Sequence, residues 1–355
     1  MPTAAATTRR AAIGAIEYHL PEQVLDNAQI VELNASWTAE QIFEKTGIRQ
    51  RHIAAEGETA TDLAEAAARK LLDAGVCRAD EIDLLMLCTQ TPDYALPSSA
   101  CLLQDRLGLP TTCAAFDFDL GCSGFVYGLS LAKGMLEAGL RSKALLITAE
   151  TYSKWLDPAD HSVRTIFGDA AAATLLELVD SPAGTEPIGP FVFGTDGRGY
   201  HRLIVHQSGA RGLTDEARTL LPEGRPAECL YMDGPEIFSF TIRTVPRTVQ
   251  ALLDRTGLAL ESLDLVVFHQ ANRYILEHLR KRLKIPLEKF VYDLEDCGNT
   301  VSCTIPIALK NAERRGQLHA GMTVALVGFG VGYSWAAARI VWTADPPKGV
   351  SDDQG

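Results

Sequence analysis

The chain has 355 residues, a formal net charge of −12 at pH 7, 46% hydrophobic residues and a mean hydropathy near zero. That length bounds it to one large or two fused domains with room for a sizeable core. The acidic balance excludes a protein that seeks nucleic acid or an anionic membrane with its whole surface, so an acidic partner has to dock on a local basic patch.

The first residues, Met1 to Arg10, carry Arg9 and Arg10 with no apolar run of signal-peptide type behind them, so no signal peptide is expected. The longest apolar stretches are of strand length, and no membrane span is expected. In chain order the pattern predicts helix 60–75, strand 83–89, helix 98–107, strand 114–120, helix 123–139 and strand 143–149. It then predicts helix 236–256, strand 264–269, helix 272–283, strand 289–293, helix 303–315 and strand 323–328. Several strands are continuous apolar runs, as strands buried on both faces are. The tail 345–355 is polar, holds two prolines and is expected to fray. Eight cysteines, none in a CxxC pair, exclude a zinc site by spacing and speak for a reducing, cytoplasmic setting.

The second series repeats the first. LLDAGVCRADEIDLLMLCTQ at 71–90 aligns without a gap on LLDRTGLALESLDLVVFHQA at 252–271, an offset of 181, and the same offset lays KALL at 143–146 over VALV at 324–327. A repeat of that length is a duplicated domain rather than a solenoid. The expected division is 1–180 and 181–355, with the break near 176–190, where turn residues concentrate.

Three residues stand out. Cys122, in FDFDLGCSGF, sits where a strand turns through Gly121 into a helix. Free amides and the helix dipole there favour a thiolate. His269 ends the apolar strand LVVFH; alone it reads equally as a satisfied core histidine or a working group. Its repeat counterpart is Cys88, so folding does not require histidine there. Asn299 follows Gly298 ahead of a helix and alone reads as a turn residue. The glycine-rich run GFGVG at 328–332 does not fit a dinucleotide loop, whereas glycines after a strand can aim amides at an oxyanion.

Together TGIRQRHIA at 46–54, DLGCSGF at 119–125, IFGDAAAA at 166–173, HQAN at 269–272, GNT at 298–300 and GFGVGYSW at 328–335 resemble the β-ketoacyl-acyl-carrier-protein synthase III family. The resemblance implies an α/β thiolase-like fold of five layers, αβαβα, with two duplicated halves, and a homodimer. It implies Cys122 as the acylated nucleophile, His269 and Asn299 as its partners, and the backbone amides of Cys122 and Val331 as the oxyanion hole. Acyl-CoA or acyl-carrier protein and malonyl-carrier protein would be the substrates, with no metal or other cofactor.

The sequence departs from the family in places. The tryptophan usual five residues before TGI is Gln41, and the basic residue after DP-x-D is His161, which weakens standard CoA recognition. The residue that reaches into the partner's acyl pocket is Leu96, where phenylalanine is common. Val331 stands where glycine is usual. Arg273, Arg280, Lys281, Arg282 and Lys284 form a basic stretch, either a solvated face or a carrier-protein dock. Two other readings remain: acyl transfer from Cys122 to an alcohol or amine in specialised or glycan metabolism, and a non-catalytic subunit.

Overall fold

A computed structural model describes residues 7–33, 37–182, 184–221 and 224–344. The tail 345–355 lies outside the described residues.

The elements that build the site are, in chain order, β1 (Thr7–His19), α1 (Ala60–Asp73), β2 (Leu84–Cys88), α2 (Ser99–Arg106), β3 (Ala114–Phe118), α3 (Gly124–Glu137), β4 (Lys143–Glu150) and β5 (Ala170–Pro182). They continue with β6 (Ile188–Thr195), α4 (Gly234–Thr256), β7 (Leu265–Phe268), α5 (Arg273–Leu283), α6 (Thr304–Arg314), β8 (Thr323–Gly330) and β9 (Ser334–Val341). The first sheet runs β1-β5-β4-β2-β3 and the second β7-β8-β9-β6. In the first, β2 is parallel to β3 and β4, and β5 is antiparallel to β4 and β1. In the second, β7 is parallel to β8, and β9 is antiparallel to β8 and β6.

Helices α1 and α2 cover the first sheet, α3 and α6 lie between the sheets, and α4 and α5 cover the second, giving αβαβα. The sequence explains each layer. Helix α1 starts at a Thr59–Asp62 capping box and buries Leu63, Ala64, Ala67, Ala68 and Leu71, a small-residue stripe at helical spacing that lies close on the sheet. Helix α3 is sandwiched, so it is apolar on more than one face and buries Phe125, Val126, Leu129, Ala132 and Leu136. Removing the Phe125 ring from this central layer would cost about 3–5 kcal/mol.

The offset of 181 extends to the architecture. Thr7 opens β1 and Ile188 opens β6; Leu84 opens β2 and Leu265 opens β7. One expectation needs correction. Segment 289–293 is not a full strand: a 3-10 turn ends at Lys289 after Pro286, and Phe290 makes an isolated parallel bridge to Val266. The passage from the first sheet to the second lies within the expected 176–190: β5 stays paired with β1 as far as Pro182 opposite Thr7, and the second sheet is entered at Ile188. The long strands β1 and β5 escaped prediction because AAIGAIEYH and AAAATLLEL are rich in alanine, which carries little strand signal.

Candidate active site

Cys122 lies at the tight turn between β3 and α3, two residues before Gly124 opens the helix. His269 follows the last residue of β7. Asn299 stands in a turn whose backbone is bridged to the other half: its N–H donates to Ile166 O at 2.9 Å, and Gly168 N–H donates to Asn299 O at 3.1 Å. All three side chains are buried, at 5%, 2% and 4% exposure, yet line one cavity of about 80 Å3 with Ile166, Phe167, Leu203, Met232 and Phe329.

Each donor is fixed by its own turn. The Asn299 Oδ1 accepts the Val301 N–H at 2.9 Å, so Nδ2 faces His269 Nε2 at 3.5 Å. The imidazole Nδ1 lies 2.8 Å from Thr304 Oγ1, and the Phe329 ring stands edge-on to it at 5.5 Å between centroids. Val301 holds a φ of 55°, a left-handed conformation that a β-branched residue adopts only when its surroundings impose it. Burial pushes the His269 imidazole down to about 3, so it is neutral near pH 7.

The glycine-rich loop meets the nucleophile at contact distance. A Cβ on Gly330 would sit 2.7 Å from Cys122 Sγ, and the Val331 N–H is directed at that sulfur. Val331 therefore supplies its amide while its side chain lies against Gly121. One expectation is corrected here. Burial pushes the Cys122 thiol from an ordinary 9.0 up to about 12, against the amides of Val331 and Cys122 that pull it down. Such a rise represents about 4 kcal/mol, whereas a helix dipole contributes at most about 2 kcal/mol. The resting group is the thiol, not a thiolate.

The remaining predicted residues are not all at the site. Leu96 is 82% exposed and absent from the cavity wall of its own chain. On α5, at about 100° per residue, Arg273 and Arg282 point to opposite faces. Arg280 is turned inward: its guanidinium donates to the Glu277 carboxylate, Tyr292 Oη and Ile285 O. It is a structural residue and no part of an open patch. Lys281 is exposed but pairs with Glu277 at 3.1 Å, and Arg273 lies 3.8 Å from Glu295; Arg282 and Lys284 are exposed.

Gln41 is consumed by helix capping, its side chain accepting the Thr38 N–H at 3.0 Å. Another tryptophan stands nearby. Trp37 lies 6.4 Å from the His161 ring and 3.8 Å from Lys45 Nζ, and the three line a cavity of about 330 Å3 with Tyr274. Ile166 and Asn272 line this space and the cavity of Cys122 alike, which makes it the mouth of the site. Sequence reasoning missed Trp37 and Thr304; a search for any aromatic within a helical turn of the expected position would have found the first. Among the described residues no cluster of His, Cys, Asp or Glu could hold a metal ion, and no helix is long and apolar enough to cross a membrane.

Comparison with known proteins places this geometry. Residues 116–197 match the family model for 3-oxoacyl-[acyl-carrier-protein] synthase III, and residues 253–342 match the model for its C-terminal part. The chain is 38% identical to the β-ketoacyl-[acyl-carrier-protein] synthase III of Methylococcus capsulatus over 91% of this chain and 96% of the relative. A crystal structure of a 3-oxoacyl-(acyl-carrier-protein) synthase III superposes with a TM-score of 0.89 at 52% identity, over 94% of this chain and all of the other. The 3-oxoacyl-(acyl-carrier protein) synthase from Burkholderia xenovorans LB400 gives 0.87 at 35% identity, over 96% of each. With a nucleophile turn, two fixed donors and a glycine loop at one cavity, the chain belongs to the β-ketoacyl-[acyl-carrier-protein] synthase III family.

Proposed function

We propose that the chain condenses a Cys122-bound acyl group with malonyl-carrier protein, releasing carbon dioxide and 3-oxoacyl-carrier protein, as in the initiation of fatty acid synthesis. The observation that carries this reading is the shared cavity of Cys122, His269 and Asn299 with the Val331 amide aimed at the sulfur.

In the first half-reaction the Cys122 sulfur bonds to the acyl carbon, the donor's own C–S bond breaks, and the thiol proton leaves on the departing thiol. The tetrahedral oxyanion takes hydrogen bonds from the N–H groups of Cys122 and Val331. In the second, the malonyl C–CO2 bond breaks and its electron pair becomes an enolate. The enolate oxygen is held by Asn299 Nδ2–H and by His269 Nε2–H, in the tautomer whose Nδ1 accepts from Thr304 once that hydroxyl turns from the Val301 carbonyl 3.1 Å away. The enolate carbon attacks the acyl carbonyl, the Cys122 thiolate departs, and a proton from water restores the thiol.

Neutral His269 suits this role. A histidine held near 3 is a weak base, ill matched to taking a proton from an alcohol or amine at neutral pH, but it remains a hydrogen-bond donor that does not absorb the enolate charge. This favours condensation over acyl transfer to oxygen or nitrogen.

Trp37, Lys45 and His161 at the mouth support a primer with a nucleotide-bearing tail, hence acyl-CoA, and the small apolar cavity supports a short acyl chain. The open edge of β3, with half-buried Phe116 and Phe118, supports a homodimer. The deciding experiment supplies pure protein with acyl-CoA and malonyl-carrier protein. A mass increase on Cys122, then carbon dioxide in step with a 3-oxo product, is expected; an O- or N-acyl product without carbon dioxide would defeat the proposal.

A further inference from the structure

The mechanism leaves a buried carboxyl next to the site without a task. Glu150, the last residue of β4, is fully buried, and none of its hydrogen-bond partners is a cation. Its Oε1 accepts from Ser302 Oγ at 2.9 Å; its Oε2 accepts from the Gln90 N–H at 3.0 Å and faces Thr91 Oγ1 at 3.4 Å.

Both ends of this carboxyl lead to the site. Ser302 belongs to the 3-10 turn 301–303, between Asn299 and Thr304, the residue that contacts His269 Nδ1. The turn includes the left-handed Val301, so it needs an external hold. On the other side, Gln90 Oε1 accepts from Tyr152 Oη and lies where a Cβ on Gly121 would fall, directly beneath the nucleophile turn. Glu150 also lies 181 residues before Val331, so it fills in the first half the place that the oxyanion amide fills in the second.

We propose that Glu150 is a positioning residue for the reaction, holding the Cys122 turn and the Asn299–Thr304 turn in register through Gln90 and Ser302. This inference rests on the function proposed above for the same site.

The carboxyl also gives the register two states. Burial pushes Glu150 up to about 8. As the anion it accepts from all three donors. When protonated it donates through Oε2 to Thr91 Oγ1, which already accepts the Thr151 N–H at 2.9 Å. The groups coupled to it are Cys122 at the nucleophile turn, Asp119 before that turn, Cys88 on β2, Tyr152 after β4 and Cys303 before α6. Ionised Glu150 raises the Cys122 thiol, so thiolate forms less readily above about pH 8 than it would beside a neutral residue.

Two readouts test this. Alkylation of Cys122 by iodoacetamide reports thiolate without any acyl substrate, so its outcome stands even if the proposed condensation fails. Glu150→Gln should match wild type at about pH 6 and react about tenfold faster near pH 9, one pKa unit on the thiol. A wild-type to variant ratio that is constant with pH would overturn the two-state register. Ser302→Ala, which serves as well if the glutamine variant does not fold, removes a donor to the anion and should move the inflection to higher pH. It should also lower malonyl decarboxylation about tenfold, the value of one lost hydrogen bond, with the primer KM unchanged. An unmoved inflection together with unchanged decarboxylation would overturn the positioning role.

Discussion

Cys122 and Cys303 stand 181 residues apart, each just before a central helix, and both thiols are pushed up by burial. Their surroundings separate them. Cys122 meets Gly330 and the Val331 amide at the end of β8 and opens on a cavity. Cys303 packs with Ala170, Ala172 and Ile307, and its thiol donates to Ala170 O at 3.3 Å. Helix start and burial are common to the two, so they do not make a nucleophile. What distinguishes Cys122 is bare backbone opposite the sulfur, where the other half presents alanine methyls.

The largest test of that contrast is Cys122→Ala against Cys303→Ala: the first should abolish acyl labelling in intact-mass analysis, the second should retain it. Next, Asn299→Ala should lower malonyl decarboxylation by about 10²–10³, the worth of a preorganised donor, while Cys122 still takes up the acyl group; loss of both steps together would refute the separate roles. Gly330→Ala places a methyl 2.7 Å from the sulfur and should slow acylation at least about tenfold by displacing the nucleophile, read as single-turnover rate.

Stability should follow Glu150 as well. Its ordinary value of 4.5 applies to the unfolded chain and about 8 to the folded one, so the native state holds the extra proton between them. Stability from this group is therefore lost as pH rises from about 4.5 to 8, and Glu150→Gln should lack that slope in urea titrations at the two ends. The smallest effect concerns the basic stretch on α5. Charge reversal at Arg282 should raise the carrier-protein KM a few-fold and weaken its salt dependence, whereas reversal at Arg280 should lower Tm by breaking the Glu277–Tyr292 cluster.

Much of this was legible in the chain. The six predicted helices lie within about two residues of the observed ones, because their apolar faces repeat at helical spacing and Thr59 caps the first. Of the site, Cys122 was legible from its place at a strand end beside glycine, whereas His269 and Asn299 were assigned through the family resemblance. Less legible was anything set by distant packing. The state of the Cys122 thiol depends on desolvation by segments hundreds of residues away. Arg280 turns inward because Tyr292, on the loop after α5, offers its hydroxyl. Trp37 reaches His161 from one helical turn before the expected place because Gln41 is needed for the cap.

The backbone bridge between Phe167 and Asn299 joins a loop of the first half to the donor turn of the second. Sulfur and carboxamide are thereby mounted on opposite sides of a common seam. A slip of one half against the other would unzip that bridge and spoil the geometry in the same movement. Neither half expressed alone can carry the chemistry, and a split version would recover it only on reassembly.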